Sequence, residues 1–421
     1  MTSFLPYFVV IMLLVVALGF FNEKVTKLTD EIALMLFAIV IGAVLLLVDN
    51  VTSNSDLQSI LRDVQGFDLE DYLMDCVLCF MLFAGSCHMR LKDFGRLARQ
   101  VSVLSFLCTL LGALIYGFTF YLIASILSLP FSLPICLMFG SIVAPTDPIA
   151  ATSILKKFGL PKDIGFLIEG ESLLNDGVGV ALFVCFSGIV KASESESVLE
   201  VLMREVVGAA IVGIGVSFIF LFVFRRTSSY YRQIFSSLAA VSMAYFLCEK
   251  FDCSGAIASV ICGVMFSTYR NYEVHNGEQE EMQHFDIFWD ILDSLLNSVL
   301  YVMLGLSFVR ILKEPWVIMI SLVAIICNML GRFGSVALST TVLGPIPDGY
   351  DWLNFSKLLT WAGLRGGLSI ALAMSTKSML DASTYNILLG GTYAIVFFTT
   401  VIQGLTMERV YERIKRRVNR R

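Results

Sequence analysis

The chain has 421 residues, of which 57% are hydrophobic and 15% charged, with a formal net charge of -5 and a mean hydropathy of +0.79. Soluble domains carry about 25% charged residues, so this composition excludes a water-soluble globular class and defines an all-α polytopic membrane protein. The ten cysteines are scattered, and most fall inside apolar runs, where cysteine behaves as a small hydrophobe. Cys76 and Cys79 form a C-x-x-C, but without a second pair or a nearby histidine they give neither a disulfide framework nor a metal site.

Apolar stretches of about 16 to 28 residues, separated by polar breaks, predict about thirteen transmembrane helices. They lie near 4–21, 31–48, 69–88, 100–128, 132–157, 165–191, 201–224, 233–249, 254–269, 285–309, 315–342, 354–377 and 384–408. The first lacks a basic n-region and a small-residue cleavage site and reads as a retained span. The segments HMRLKDFGRLARQ, LKKFGLPKD, FRRTSSYYRQ and the tail MERVYERIKRRVNRR are basic, whereas the loops around 50–71 and 191–200 are acidic or neutral. The positive-inside rule then places the C-terminus in the cytoplasm and, with an odd span count, the N-terminus outside. The basic tail from Arg409 suits anionic headgroups rather than nucleic acid.

The fifth and twelfth spans are each broken near the middle by helix-unfriendly residues: Ala144-Pro-Thr-Asp-Pro148 and Gly363-Leu-Arg-Gly-Gly367. Proline removes a backbone donor and clashes with the preceding turn, and each glycine lowers helix stability by up to about 1 kcal/mol. Broken helices at membrane depth persist only where protein or a water-filled cavity satisfies the freed backbone groups. Two of them, in corresponding positions of spans 1–6 and 8–13, point to an inverted-repeat transporter with its site at the midplane.

Ionisable residues at that depth cost several kcal/mol and need a reason. Counting about 1.5 Å of rise per residue puts Asp147, Asp176 and Arg365 roughly 16 to 23 Å from the face where their spans begin, near the middle of a core about 30 Å thick. Ser172 and Asp176 are four residues apart and share a helix face, with Glu169 one turn below and Asn175 beside them. That face, with the carbonyls freed around Thr146 and Asp147, offers the oxygen ligands a small hard cation needs. Two carboxylates so close repel when both are ionised, so one group can alternate between a proton and the cation. Competition for one site suffices for exchange when the site faces one side at a time. Arg365 needs a buried anion, and Glu171, next to Ser172 but on another face, is the candidate.

Other polar residues stay open. Asp147 also fits a half-helix cap, and Arg332 and Asn297 fit either interhelical glue or an ion path. The cluster Glu278, Glu280, Glu281, Asp286, Asp290 and Asp293 fits a solvated helix end or a cation-concentrating entrance. Asp75 reads as a solvated interfacial residue, and His88, His275 and His284 as surface histidines.

The segments GSIVAPTDPIA (140–150), GESLLNDG (170–177) and GLRGGLSIALA (363–373), together with LFAGSCH (82–88) and LNSVLYVMLGL (296–306), resemble signature segments of the NhaP-type Na+/H+ antiporters. That monovalent cation/proton antiporter family also contains the mammalian Na+/H+ exchangers. The resemblance implies thirteen helices in the inverted-repeat antiporter fold with discontinuous crossing helices 5 and 12, and a homodimer in a cell (inner) membrane. It divides the chain into a dimerisation domain (1–99 and 192–310), a core transport domain (100–191 and 311–408) and the tail 409–421. It implies that Asp147, Asp176, Ser172 and the Thr146 carbonyl bind the ion and that Glu171 pairs with Arg365. It also implies that Asn175-Asp176 marks electroneutral exchange of one Na+ for one H+. Na+, Li+ and protons would be cargo, with no cofactor. Some relatives carry a carboxylate where this chain has Ala84, so a ligand from the third span is missing.

The alternatives are a K+/H+ antiporter of the same fold, a cation channel, an intramembrane aspartyl protease and a sodium-coupled organic-anion carrier. The protease chemistry needs Tyr-Asp and Gly-x-Gly-Asp, whereas these aspartates stand in P-T-D-P and L-N-D-G. A continuous pore poorly explains a buried arginine and carboxylates in broken helices, and a carboxylate-rich site disfavours an anionic substrate.

Overall fold

The computed structural model describes residues 4–52, 77–87, 91–191, 200, 203–227, 229–276, 279–311, 315–344, 346 and 350–418. Cys76, Asp75, His88, Glu278 and the first part of the expected third span lie outside them. In chain order the helices are α1 (Phe4–Phe21), α2 (Asp30–Thr52), α3 (Leu78–Cys87), α4 (Leu91–Ser102), α5 (Thr109–Ile126), α6 (Leu133–Val143), α7 (Pro148–Lys157), α8 (Lys162–Lys191) and α9 (Ala209–Arg225). They continue as α10 (Tyr230–Lys250), α11 (Gly255–Asn276), α12 (Gln279–Ile311), α13 (Pro315–Leu343), α14 (Trp352–Ala362), α15 (Gly367–Met374), α16 (Ala382–Phe397) and α17 (Gly404–Val418). The described residues form no strand. A single antiparallel bridge joins Asp147 to Leu364.

Seven of the described helical stretches are long and apolar enough to cross a bilayer: Phe8–Thr26, Leu97–Ile126, Lys162–Lys191, Met203–Arg225, Gln283–Leu306, Ile318–Leu343 and Ala382–Val418. For two of the expected spans, the fifth and the twelfth, the shortfall has a local cause at the breaks, where α6, α7, α14 and α15 run only 11, 10, 11 and 8 residues. A helix of that length covers about half of a 30 Å core. The breaks fall at the residues whose chemistry forbids a helix, Pro145 and Pro148 in one case and Gly363, Gly366 and Gly367 in the other.

Packing sorts the helices into two neighbourhoods. In one, α6 packs on α5 and α8, and α13 packs on α5, α14 and α16; in the other, α2 packs on α12, α3 on α11, and α9, α10 and α11 on one another. Each has its own aromatic centre, because rings near the bilayer middle gain from edge-to-face contacts that lipid cannot offer. Tyr116, Phe120, Phe131 and Phe139 interlock between α5 and α6 at centroid distances of 5.0 to 5.8 Å. Phe83 lies 4.3 Å from Trp289 and 5.5 Å from Phe266, and the Trp289 indole donates to Ser237 Oγ. Ala84 is fully buried in α3. The last helix returns to the first neighbourhood, where Tyr411 donates to the Gly159 carbonyl and Lys415 to that of Phe158, closing the turn between α7 and α8.

Among the described residues, wide, π-type turns interrupt the helices at Asn22–Thr26, Val103–Cys108, Met203–Gly208 and Phe398–Gln403. Such turns collect at functional sites because they displace a side chain and free a backbone group. Two of them bear on the breaks.

Candidate ion-binding site

The two interruptions meet. The non-helical backbone at Asp147 runs antiparallel to that at Leu364, and the Asp147 N–H donates to the Leu364 carbonyl at 2.8 Å. Gly366 makes this approach possible, since a Cβ there would stand 3.0 Å from both Cβ and Oδ2 of Asp147. The freed polar groups then find side-chain partners, as burial in an apolar medium demands. The Thr146 N–H donates to Asn175 Oδ1 (3.2 Å), the Asn175 amide donates to Thr146 Oγ1 (2.8 Å), and Thr146 Oγ1 shares a hydrogen with Ser172 Oγ (2.8 Å). Across the site, the Arg365 N–H donates to Thr399 Oγ1 and its carbonyl accepts from Thr400 Oγ1. Both threonines lie on the π-type turn at Phe398–Gln403.

Four of the sequence-derived ligands are thereby brought to one place. Thr146 and Ser172 are hydrogen-bonded, Asp147 follows in the chain, and half-buried Asp176 sits one turn past Ser172 on α8, within electrostatic reach of Asp147. Asn175, expected only to flank them, is a fully buried amide that ties α8 to the first break. Asp147 Oδ2 also accepts from Tyr301 of α12 at 3.0 Å.

The expected pairing of Glu171 with Arg365 is corrected by the geometry. Glu171 Oε1 lies 2.5 Å from Arg332 Nη1, and both side chains are buried. Arg365 turns instead to the carbonyls of Ala144 and Pro145 and to Asn328 Oδ1. The reason is that the first break exposes carbonyl oxygens directly opposite Arg365, while Arg332 reaches Glu171 from α13. Arg332 Nη2 also donates to the Leu359 carbonyl at the end of α14. Gly363 leaves room for it, since a Cβ there would approach Arg332 Nε to 2.5 Å. The Glu171 backbone carbonyl accepts from Ser105 Oγ on the π-type turn at Val103–Cys108. Each arginine therefore closes one break, and Asn328, one turn before Arg332 on α13, helps hold the other.

Glu169 stands apart, paired with Lys156 of α7 at a partly exposed position. Asn297 lines a cavity of about 300 Å³ with Asp30, Glu31, Asp290, Asp293 and Tyr301. Asp286 pairs with Arg270 at 2.6 Å, and His284 stacks on Tyr230. Tyr301, Asn328, Thr399 and Thr400 escaped the sequence reading. For Asn328 there was a signal, its i, i+4 spacing to Arg332 in an apolar run; a tyrosine or threonine in such a run gives none.

A helical membrane protein whose two broken helices face each other beside half-buried carboxylates has the architecture of a secondary carrier. The family model for the transmembrane sodium/hydrogen exchanger matches residues 9–413, and the chain belongs to that family. It is 28% identical over 371 residues to the Na(+)/H(+) antiporter NhaP of Pseudomonas aeruginosa, covering 85% of this chain and 84% of the relative. It is 29% identical over 400 residues to the Na(+)/H(+) antiporter NhaH of Halobacillus aidingensis, covering 93% of each. Its fold matches the sodium proton antiporter MjNhaP1 of Methanocaldococcus jannaschii with a TM-score of 0.72 over 97% of both chains, at 22% identity. The family is one of transporters rather than enzymes, and Na+ and H+ are its cargo.

Proposed function

We propose that this chain exchanges Na+, and with it Li+, for H+ across a cell membrane, one for one, the cation and the proton competing for Asp147 and Asp176. The observation that carries the reading is the node of Thr146, Ser172 and Asn175, which fixes the first break to the α8 face bearing Asp176. The Asp147 and Asp176 carboxylates, the Ser172 hydroxyl and the Thr146 carbonyl are the Na+ ligands in this reading. A carboxylate that serves both ions makes exchange obligatory, because proton and cation cannot occupy it together.

The wider reading has thirteen spans in inverted repeat, with the broken fifth and twelfth crossing. The core is 100–191 with 311–408 and moves against a dimerisation domain of 1–99 with 192–310. The two packing neighbourhoods support that division. In this reading the protein is a homodimer in a bacterial-type inner membrane, N-terminus outside and C-terminus inside. Glu171 with Arg332 is the structural ion pair of the core, and Arg365 is the clasp between its halves.

The test is Na+-driven proton movement in proteoliposomes with a pH-sensitive dye. Wild type should respond to Na+ and Li+, and Asp176→Asn should abolish the response. Retained exchange in Asp176→Asn would overturn the site, and a response to K+ alone would replace Na+ by K+ as the cargo. A rate that follows an imposed membrane potential would overturn the one-for-one ratio.

A further inference from the structure

The cavity of about 300 Å³ between α2 and α12 is lined by Asp30 and Glu31 from the start of α2 and by Asp290, Asp293 and Asn297 from successive turns of α12. The spacing of the α12 residues, at i, i+3 and i+7, sets them on one helix face. Tyr301 follows one turn after Asn297, and it belongs both to this cavity and to the proposed ion site: the residue lines the cavity and its hydroxyl donates to Asp147 Oδ2 at 3.0 Å. The residue is 2% exposed. Asp147 is rigid at its backbone through the bond to Leu364, so the contact with Tyr301 is one that can open without unfolding the break.

We propose that the Tyr301 hydroxyl is a latch that holds the Asp147 carboxylate while the site is empty and is displaced when a cation arrives through the acid-lined cavity. The inference rests on the proposed Na+ site. An O–H donor presents its hydrogen to Oδ2 of the carboxylate, so a small cation that approaches through that oxygen competes with the bond. A donor–carboxylate bond is among the stronger hydrogen bonds a protein makes, and it stabilises the empty state selectively. The carboxylates along the cavity raise the local cation concentration at the mouth, and the latch sets how much of that attraction reaches the site. Tyr301 is thus a positioning residue that tunes apparent affinity.

The experiment is Na+-driven proton movement in proteoliposomes of wild type and Tyr301→Phe across a range of Na+ concentrations. Removing the hydroxyl destabilises only the empty state, so KM for Na+ should fall by about two- to tenfold with the maximal rate raised by less than about twofold. A KM that is unchanged or raised in the folded variant would overturn the latch. The route is tested by Ser294→Cys, on the cavity lining, treated with a positively charged methanethiosulfonate alongside equally treated wild type. Exchange should fall at least about tenfold relative to that control, and Na+ should slow the labelling; complete modification with undiminished exchange would overturn access through this cavity. A wild type without Na+-driven proton movement removes the functional reading itself, whereas an exchanging wild type with an indifferent Tyr301→Phe removes only the latch.

Discussion

The two breaks are made of opposite materials. The first, Ala144 to Asp147, contains Pro145, is followed by Pro148 and contributes a carboxylate, a hydroxyl and carbonyls; the second, Gly363 to Gly366, is half glycine and contributes an arginine. Proline removes backbone donors, leaving an acceptor-rich segment that suits a cation. Glycine permits close approach, and the cationic head it admits lands on the carbonyls that the proline break leaves unpaired. In the proposed site one break supplies the ligands and the other supplies the neutralisation that lets those ligands stay in an apolar medium.

The comparison breaks most severely at Glu171 and Arg332. Arg332→Ala strands a buried carboxylate, and losing one partner of a buried pair costs about 3 to 5 kcal/mol. Folded protein in detergent should drop sharply in a fluorescence-detected thermal scan, and Arg332→Met with Glu171→Gln should recover much of the loss. Arg365→Lys should destabilise less, because the charge stays while the fork that spans two carbonyls and Asn328 goes. Its effect should be larger on exchange than on melting, since the carbonyls it aligns adjoin the proposed ligands. Gly363→Ala forces a methyl onto the Arg332 guanidinium, and overpacking of that kind costs about 1 to 3 kcal/mol. Thr399→Val and Thr400→Val each remove one bond to the second break, about 1 kcal/mol apiece, seen as a modest fall in the same scan.

The smallest effect lies outside the membrane. The Asp381 carboxylate caps α16 by accepting the Thr384 N–H, and that bond holds its carboxyl below the usual carboxylate range. A folded-state value below the unfolded one contributes stability that is present above the unfolded value and lost as pH falls through the folded one. Melting temperature should therefore fall slightly more steeply with acidification in wild type than in Asp381→Ala, and equal slopes would remove the cap's contribution.

The breaks were legible in the sequence because proline and clustered glycine act locally, and Asp147, Ser172 and Asp176 stood out as candidates because charge and spacing in an apolar run are rare. The partner of Glu171 was not. Both Arg332 and Arg365 sit at mid-depth, and depth by counting cannot distinguish them; only the position of freed carbonyls, a property of how two halves face each other, assigns each its anion. The π-type turns were hidden for a related reason. Val103–Cys108 and Phe398–Gln403 are ordinary apolar sequence, and their extra residue per turn is imposed by what they must reach, the Glu171 carbonyl in one case and the Arg365 backbone in the other.

The bond from the Asp147 N–H to the Leu364 carbonyl is made by main-chain atoms alone, so at position 147 no substitution short of proline removes it. Side chains around it can be exchanged, and with them affinity and ion preference, while the register between the two halves is inherited unchanged. The bridge therefore separates what can vary in this carrier from what cannot: its chemistry is written in residues, its alignment in backbone.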